Sequence, residues 1–468
     1  MKRTLTTILS AAALSACGGG TETPAGFTGA PGEVKLITLD PGHFHAALVQ
    51  KTAYPQVAPD VHVYAPAGDD LRQHIERIEQ YNSRPDNPTA WNEIVYTGTD
   101  YLQKMVDGKR GNVMVVAGNN RLKTNYIAAA IDAGINVLAD KPMAVDPANF
   151  ELLKECFRRA DEKGLLLYDI MTERHEITSI LQRELAQSRE LFGEVTPGTP
   201  DDPSIVKESV HHFSKAVSGV HLLRPAWFFD VEQQGDGIVD VTTHLIDLVQ
   251  WSAFPDVVLD YTRDVEMVDA NRWSTTIDPA QFKQVTGMDS WPDYLQKDVR
   301  DGVLHVFSNG DISYRLRGVN AKVTVVWNFE APPGTGDTHY SLMRGSRAEL
   351  IIRQGAEQNY TPTLYVRPAV GAGEAADAAG FGDRLSAAIA SLAKTYPGLA
   401  VAPAPEPDGS VRIDIPARYF VGHEPHFGQV TEHYLRYLVD GRLPEWEVPG
   451  MIAKYYITSE GIRIAKAK

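Results

Sequence analysis

Three stretches combine residue types and spacings that can carry chemistry. In ADKPMA, Ala139 to Ala144, an apolar run ends at a proline that stops a strand and aims Lys141 into the crevice beyond the strand's carboxyl end. An ammonium there can hydrogen-bond a substrate hydroxyl and stabilise the alkoxide that forms as hydride leaves. Its plainer reading is a surface lysine. In GDGIVDVTTHLIDLVQW, Gly235 to Trp251, Asp240 and His244 stand four apart and share one face of a predicted helix. A carboxylate one turn before an imidazole orients it and raises its basicity, giving a general acid/base for neutral pH. The commoner fate of such spacing is a structural pair. Asp247, further along, reads as a solvated helix residue.

The third stretch, ITLDPGHFHAALVQK, Ile37 to Lys51, outlines a strand, a tight loop and a helix start. A Rossmann fold cradles pyrophosphate at such a place. Of the three glycines expected there, Gly42 alone is present, and Asp40 adds a negative charge. That charge is tolerable if Asp40 caps the helix through backbone N–H groups. His43 and His45 also have the His-x-His spacing of a metal site.

A candidate substrate surface precedes His244. His211, His212, Lys215, His221, Arg224, Trp227, Phe228, Phe229 and Asp230 crowd into twenty residues. Aromatic faces with charged donors suit sugars, so His212, Lys215, Arg224, Trp227, Asp230 and His244 are the substrate candidates. Taken singly, each aromatic reads as core and each histidine as a solvent-facing strand residue. His423 and His426 are placed to close the site from the C-terminal segment.

The elements that must position these groups follow from periodicity. VKLITL, DVHVYAP, NEIVYTG, NVMVVAG, INVLAD and LLLYDIM are short runs rich in Val, Ile and Leu, as strands buried on both faces of a parallel sheet require. Helical spacing between them covers 69–81, 99–107, 123–133 and 147–163. This predicts a doubly wound α/β unit over 33–172. From 173 to 468 alternating strands dominate, predicting an open, mostly antiparallel sheet. SNGD, Ser308 to Asp311, reads as an Asn-Gly hairpin turn. Residues 370–380 and 400–409 read as linkers around a helix at 381–394, and 428–440 as the last helix.

The 468 residues carry a net charge of −15, which argues against nucleic acid or an anionic membrane surface as partner. Met1-Lys2-Arg3, the apolar run to Ala16 and Leu14-Ser15-Ala16-Cys17 resemble a lipoprotein signal, with Cys17 the lipidated residue. Residues 18–32 then form a tether, and Cys156 lacks a disulfide partner. The expected location is the periplasm or outer membrane, with the lipid as the sole membrane contact.

The order of these motifs resembles the glucose–fructose oxidoreductase/inositol dehydrogenase (Gfo/Idh/MocA) family, in the branch with an oxidoreductase C-terminal domain. The resemblance implies a Rossmann domain joined to a second domain with an open sheet, and a tightly bound NAD or NADP. It implies that Lys141 is catalytic and that His244, with Asp240, is the acid/base. By position, Asp40, Pro41, Gly42, His43, Phe44, Asn119, Asn120, Asp140, Lys141 and Pro142 would hold the cofactor. The departures are specific. Asp140-Lys141-Pro142 replaces Glu-Lys-Pro, and Gly118-Asn119-Asn120 replaces Thr-Pro-Asn. The Gly-x-Gly-x-x-Gly loop keeps one glycine, and Val63-Tyr64-Ala65-Pro66 lacks the acid that holds the adenosine ribose.

The resulting expectation is an exported oxidoreductase acting on a sugar or polyol, with no metal and with self-association through the open sheet. Because free nicotinamide cofactor is scarce outside the cytoplasm, the redox-neutral glycosidase chemistry with a retained cofactor that the resemblance also implies is attractive. Two other classes compete. One is a surface binder that keeps the fold without the cofactor. The other is a metal-dependent hydrolase built on His43 and His45, against which the second half supplies no eight βα units.

Overall fold

The computed structural model describes residues 26–217, 220–369 and 380–468. The signal segment with Cys17, the tether up to residue 25 and the 370–379 stretch lie outside the described residues. Residues 26–32 of the expected tether form a turn, because the Glu33 carboxylate accepts from the N–H groups of Thr28, Gly29 and Ala30.

The N-terminal domain alternates β1 (Leu36–Leu39), α1 (His45–Leu48), β2 (Asp60–Ala65), α2 (Asp69–Ser83), β3 (Asn92–Thr97), α3 (Tyr101–Gly108), β4 (Val113–Val116), α4 (Lys123–Asp132), β5 (Asn136–Ala139), α5 (Pro147–Glu162) and β6 (Leu167–Asp169). All pairs are parallel, in the order β3-β2-β1-β4-β5-β6. The order reverses between β1 and β4, which opens a ligand crevice at their carboxyl ends. β1, β4, β5 and β6 are buried along their whole length, as their apolar runs require. β3 is not, contrary to expectation. It is the edge strand, and Ile94 and Val95 are about two-fifths exposed. Asp146 ends the β5 crossover by capping α5 through the Asn149 N–H, with Pro147 at the first helical position.

The second domain follows α6 (Ile177–Ala186) and contains β7 (Ile205–Ser214), the short β8 (Ala216–Val217) and β9 (Val220–His221), α7 (Gly237–Asp240), α8 (Thr242–Ala253), α9 (Tyr261–Asp264), β10 (Val265–Ile277), α10 (Pro279–Thr286) and β11 (Val299–Arg300). Next come β12 (Val303–Leu316), β13 (Val319–Glu330), β14 (Thr338–Arg344), β15 (Ala348–Gln354), β16 (Thr363–Pro368), α11 (Phe381–Leu392), β17 (Ala400–Val401), β18 (Val411–Asp414), α12 (His423–Asp440) and α13 (Glu447–Lys466). The large sheet runs β10-β12-β13-β7-β14-β15-β16-β18-β17, with β11 paired beside β12. β13 and β7 are its parallel pair; the other neighbours are antiparallel.

The SNGD turn does not form. β12 runs straight through it, and the chain reverses at Arg317-Gly318, both in the left-handed region (φ 50° and 82°). Tertiary contacts override the local signal. Asn309 accepts from Trp327 N at 2.6 Å and donates to Trp273 O at 3.1 Å, bridging three strands. Gly310 provides closeness rather than a turn, since a Cβ there would lie 1.9 Å from the Ile238 side chain.

The C-terminal helical segment is longer than its sequence pattern predicts. α12 begins at His423, five residues before the expected start, and α13 follows it. Phe427, Tyr434, Leu435, Met451 and Tyr455 from these helices enter the apolar core around the six-stranded sheet. The chain therefore returns to the first domain to finish it.

Candidate active site

The two domains enclose a cavity of about 690 Å³ at the carboxyl edge of the six-stranded sheet. His43 and Phe44 reach it from the β1–α1 loop, His45 from the start of α1, and Lys141 from the end of β5. Asp240 and His244 come from α7 and α8, His211 and Lys215 from β7 and beyond, and His423 and His426 from the first turn of α12.

In its lining Lys141 Nζ donates to Asp240 Oδ1 at 2.5 Å, joining the end of one domain's strand to the other's helix. The Lys141–Pro142 peptide is cis. Burial opposes the ammonium charge, but Asp240 and Asp140 outweigh it and raise the Lys141 pKa. His244 shows the reverse balance: burial, then the Lys141 charge, hold it well below the usual imidazole range. Its Nδ1 is buried without a hydrogen-bond partner. The predicted Asp240–His244 couple is thus not made. Asp240, at the end of α7, is taken by Lys141 instead.

A second charged group closes the cavity wall. Asp337, on the loop before β14, takes Lys215 Nζ at 2.8 Å and faces the Nδ1 atoms of His212 (2.9 Å) and His211 (3.4 Å). Burial disfavours its charge, yet His211 and Lys215 hold the carboxyl well below the usual range. Glu173, also lining the cavity, is pushed to about 7 by burial and by Glu176, against the opposing pull of Lys141.

Of the substrate candidates, Lys215, Arg224 and His244 line the cavity. Arg224 donates to the carbonyls of His212 and Phe213 and lies over the Phe228 and Trp327 rings. His212 is buried behind the wall on Asp337. Trp227 and Asp230 are turned elsewhere. Asp230 is buried and accepts from Lys297 Nζ at 2.8 Å. His221 stands in β9. Asp247 is not solvated: it is buried between Arg174 and Lys454, and Lys454 also meets Asp169 at 2.8 Å. Sequence reasoning missed Glu173, Glu176, Asp337 and His339 in the lining. None sits in a motif, and topology alone brings them together.

The dinucleotide loop departs furthest from expectation. Asp40 adopts φ 47°, standing in for the first glycine, but does not cap α1; it accepts from the Tyr126 hydroxyl at 2.9 Å. Burial raises its pKa. The N–H groups of Gly42 and His43 both donate to the Ala117 carbonyl, at 3.3 and 3.2 Å. The bare face of Gly42 is covered: a Cβ there would meet the Asp70 carboxylate at 2.8 Å and the Trp227 ring at 3.1 Å. Asn119 and Asn120 are tied to Gln233 and Gln234, although Asn120 Oδ1 is buried without a partner. A pyrophosphate needs free N–H donors and an uncovered glycine. In this conformation these residues do not fit one. Pro41 is buried in the same loop, and Asp140 faces His45 and His43.

Two family models match the chain. "Putative oxidoreductase C terminal domain" spans residues 181–466, and "Oxidoreductase family, NAD-binding Rossmann fold" spans 71–169, beginning beyond the DPGHFH loop. Among curated proteins none matches. A structure described as a "putative oxidoreductase" from Parabacteroides merdae is 58% identical with TM-score 0.92, covering 95% of this chain and 100% of that one. Biliverdin reductase from Synechocystis sp. with biliverdin and NADP+ is 12% identical (TM-score 0.56, covering 93% and 99%). KijD10, a 3-ketoreductase from Actinomadura kijaniata with TDP-benzene and NADP, is 15% identical (TM-score 0.52, covering 92% and 97%). These last two share the fold.

Proposed function

Because the chain belongs to the NAD(P)-dependent Gfo/Idh/MocA oxidoreductases, in the branch with the oxidoreductase C-terminal domain, we propose that it acts on a sugar or polyol, with Lys141 and His244 handling the substrate's hydroxyl proton. The observation that carries this is the Lys141–Asp240 contact, which fixes an ammonium on a cavity wall shared by both domains. The family's NAD(P) would supply hydride exchange at a substrate carbon once the Trp227–Asp70 cover over Gly42 had parted.

The chain's own residues do the rest. Lys141 donates to the hydroxyl or carbonyl oxygen and stabilises negative charge there. His244, neutral and lining the cavity, accepts the hydroxyl proton. Lys215, Arg224 and His211 also line the cavity and orient further hydroxyls. One observation favours redox-neutral glycoside cleavage over simple alcohol oxidation. Glu173 lines the same cavity, and burial and Glu176 push its carboxyl to about 7, so it is placed as the second proton-transfer group that expelling an aglycone requires. The lipobox-like Leu14–Cys17 supports an exported lipoprotein, which lipid labelling of the parent and a Cys17→Ala variant tests.

Full-length protein should release NAD(H) or NADP(H) on denaturation or bind it on addition. It should then turn over members of a panel of free sugars and aryl glycosides. Turnover of the glycosides without net cofactor reduction selects the redox-neutral reading. Cofactor binding with no turnover of any sugar or glycoside would overturn the substrate class.

A further inference from the structure

We propose that His43, His45 and Asp140 form a binding site for one divalent transition-metal ion at the edge of the cavity. The three residues offer one ligand atom each, all within 4.8 Å of one another. His45 Nδ1 stands 3.0 Å and His43 Nδ1 3.7 Å from the same oxygen, Asp140 Oδ2. Metal–nitrogen and metal–oxygen bonds of about 2.1 Å set neighbouring donors roughly 3 to 4 Å apart, so little movement is needed. Two imidazoles and one carboxylate suit Zn²⁺, Fe²⁺ or Ni²⁺ rather than Ca²⁺ or Mg²⁺.

The donors are held from behind. The His43 and His45 rings pack edge to face at 4.0 Å, and His45 also rests on Phe427 at 4.5 Å. The strand end carrying Asp140 is fixed by Lys123 Nζ, which donates to its carbonyl at 3.0 Å. Neighbouring Lys141 is already matched by Asp240, which lessens its repulsion of a cation. Both histidines line the cavity, so the ion's remaining positions face it and can take a water or a vicinal pair of substrate oxygens. This departs from the sequence expectation of no metal. The site lies in the cavity assigned above but does not depend on its redox reading, because its test reads binding and not turnover.

The test titrates Co²⁺ into untagged, chelator-treated full-length protein, following visible d–d absorption and the stoichiometry by metal analysis. One equivalent should bind with a visible spectrum that Zn²⁺ abolishes, and His45→Ala and His43→Ala should each weaken it more than about 10-fold. His43 is the more exposed ring, so His43→Ala keeps the test decisive if His45→Ala fails to fold. No uptake by the parent protein overturns the site. So does an equivalent and spectrum unchanged in His43→Ala, as would arise from the His175, His426 and His433 group instead.

Discussion

Trp227 Nε1 donates to Asp70 Oδ2 at 2.8 Å, and this pair joins the second domain to the first directly over the bare face of Gly42. The indole and the carboxylate occupy the side of the loop that a pyrophosphate would use. Seating a dinucleotide therefore requires the pair to part, and apparent affinity falls by the fraction of molecules in which it is closed. Trp227→Ala should bind NAD(P) about 10-fold more tightly than the parent, measured by calorimetric titration.

The same pair gives nucleotide binding a pH dependence. Burial pushes the Asp70 carboxyl up to about 6, with the Trp227 N–H opposing and the Asp40 charge adding. Above pH 6 Asp70 is ionised and repels phosphate; below it the repulsion is gone. NAD(P) affinity should fall as pH rises from 5 to 8, and Asp70→Asn should flatten the curve.

Lys141→Ala and His244→Ala should each lower kcat about 10²- to 10⁴-fold on whichever sugar the panel identifies. Circular dichroism should stay unchanged. Asp240→Asn should reduce kcat less, since it loosens the ammonium without removing it.

Glu173 is protonated in the folded protein up to about pH 7, whereas its ordinary pKa is 4.5. Between those values the folded state binds the extra proton. Its contribution is complete below pH 4.5 and is lost as pH rises through 7. The melting temperature of the parent should therefore decline more from pH 5 to 8 than that of Glu173→Gln. The limb of the pH–rate profile near 7 should disappear in the same variant.

Lys454 is fully buried between Asp169 and Asp247, the latter also held by Arg174. Lys454→Met leaves two carboxylates without their shared cation. Breaking a buried pair from one side costs about 3–5 kcal/mol, which denaturant unfolding would register.

Much of the first domain was legible because its signals are local. Runs such as VMVV are too apolar and β-branched for any place but the middle of a parallel sheet, and Asp146-Pro147 marks a helix start unaided. β3 misled because edge position is a property of the sheet, not of NEIVYT. SNGD misled because Asn309 spends its side chain on neighbouring strands, which no window of sequence reveals. Lys141 was found from its strand-ending proline. Asp337 was not, because the partners that make it part of the wall lie more than 120 residues earlier. The pairing of Asp240 escaped for a related reason: its partner, Lys141, lies 99 residues earlier.

The return of α12 and α13 to the six-stranded sheet has a consequence for synthesis. Phe427, Tyr434 and Tyr455 complete a core whose first strand begins at Leu36, and Lys454 neutralises the carboxylate of Asp169 at the end of its last strand. The domain made first is thus the one finished last. A growing chain holds that sheet with one flank uncovered until its final forty residues or so emerge, and dividing the gene between the two domains would separate a core from its own wall.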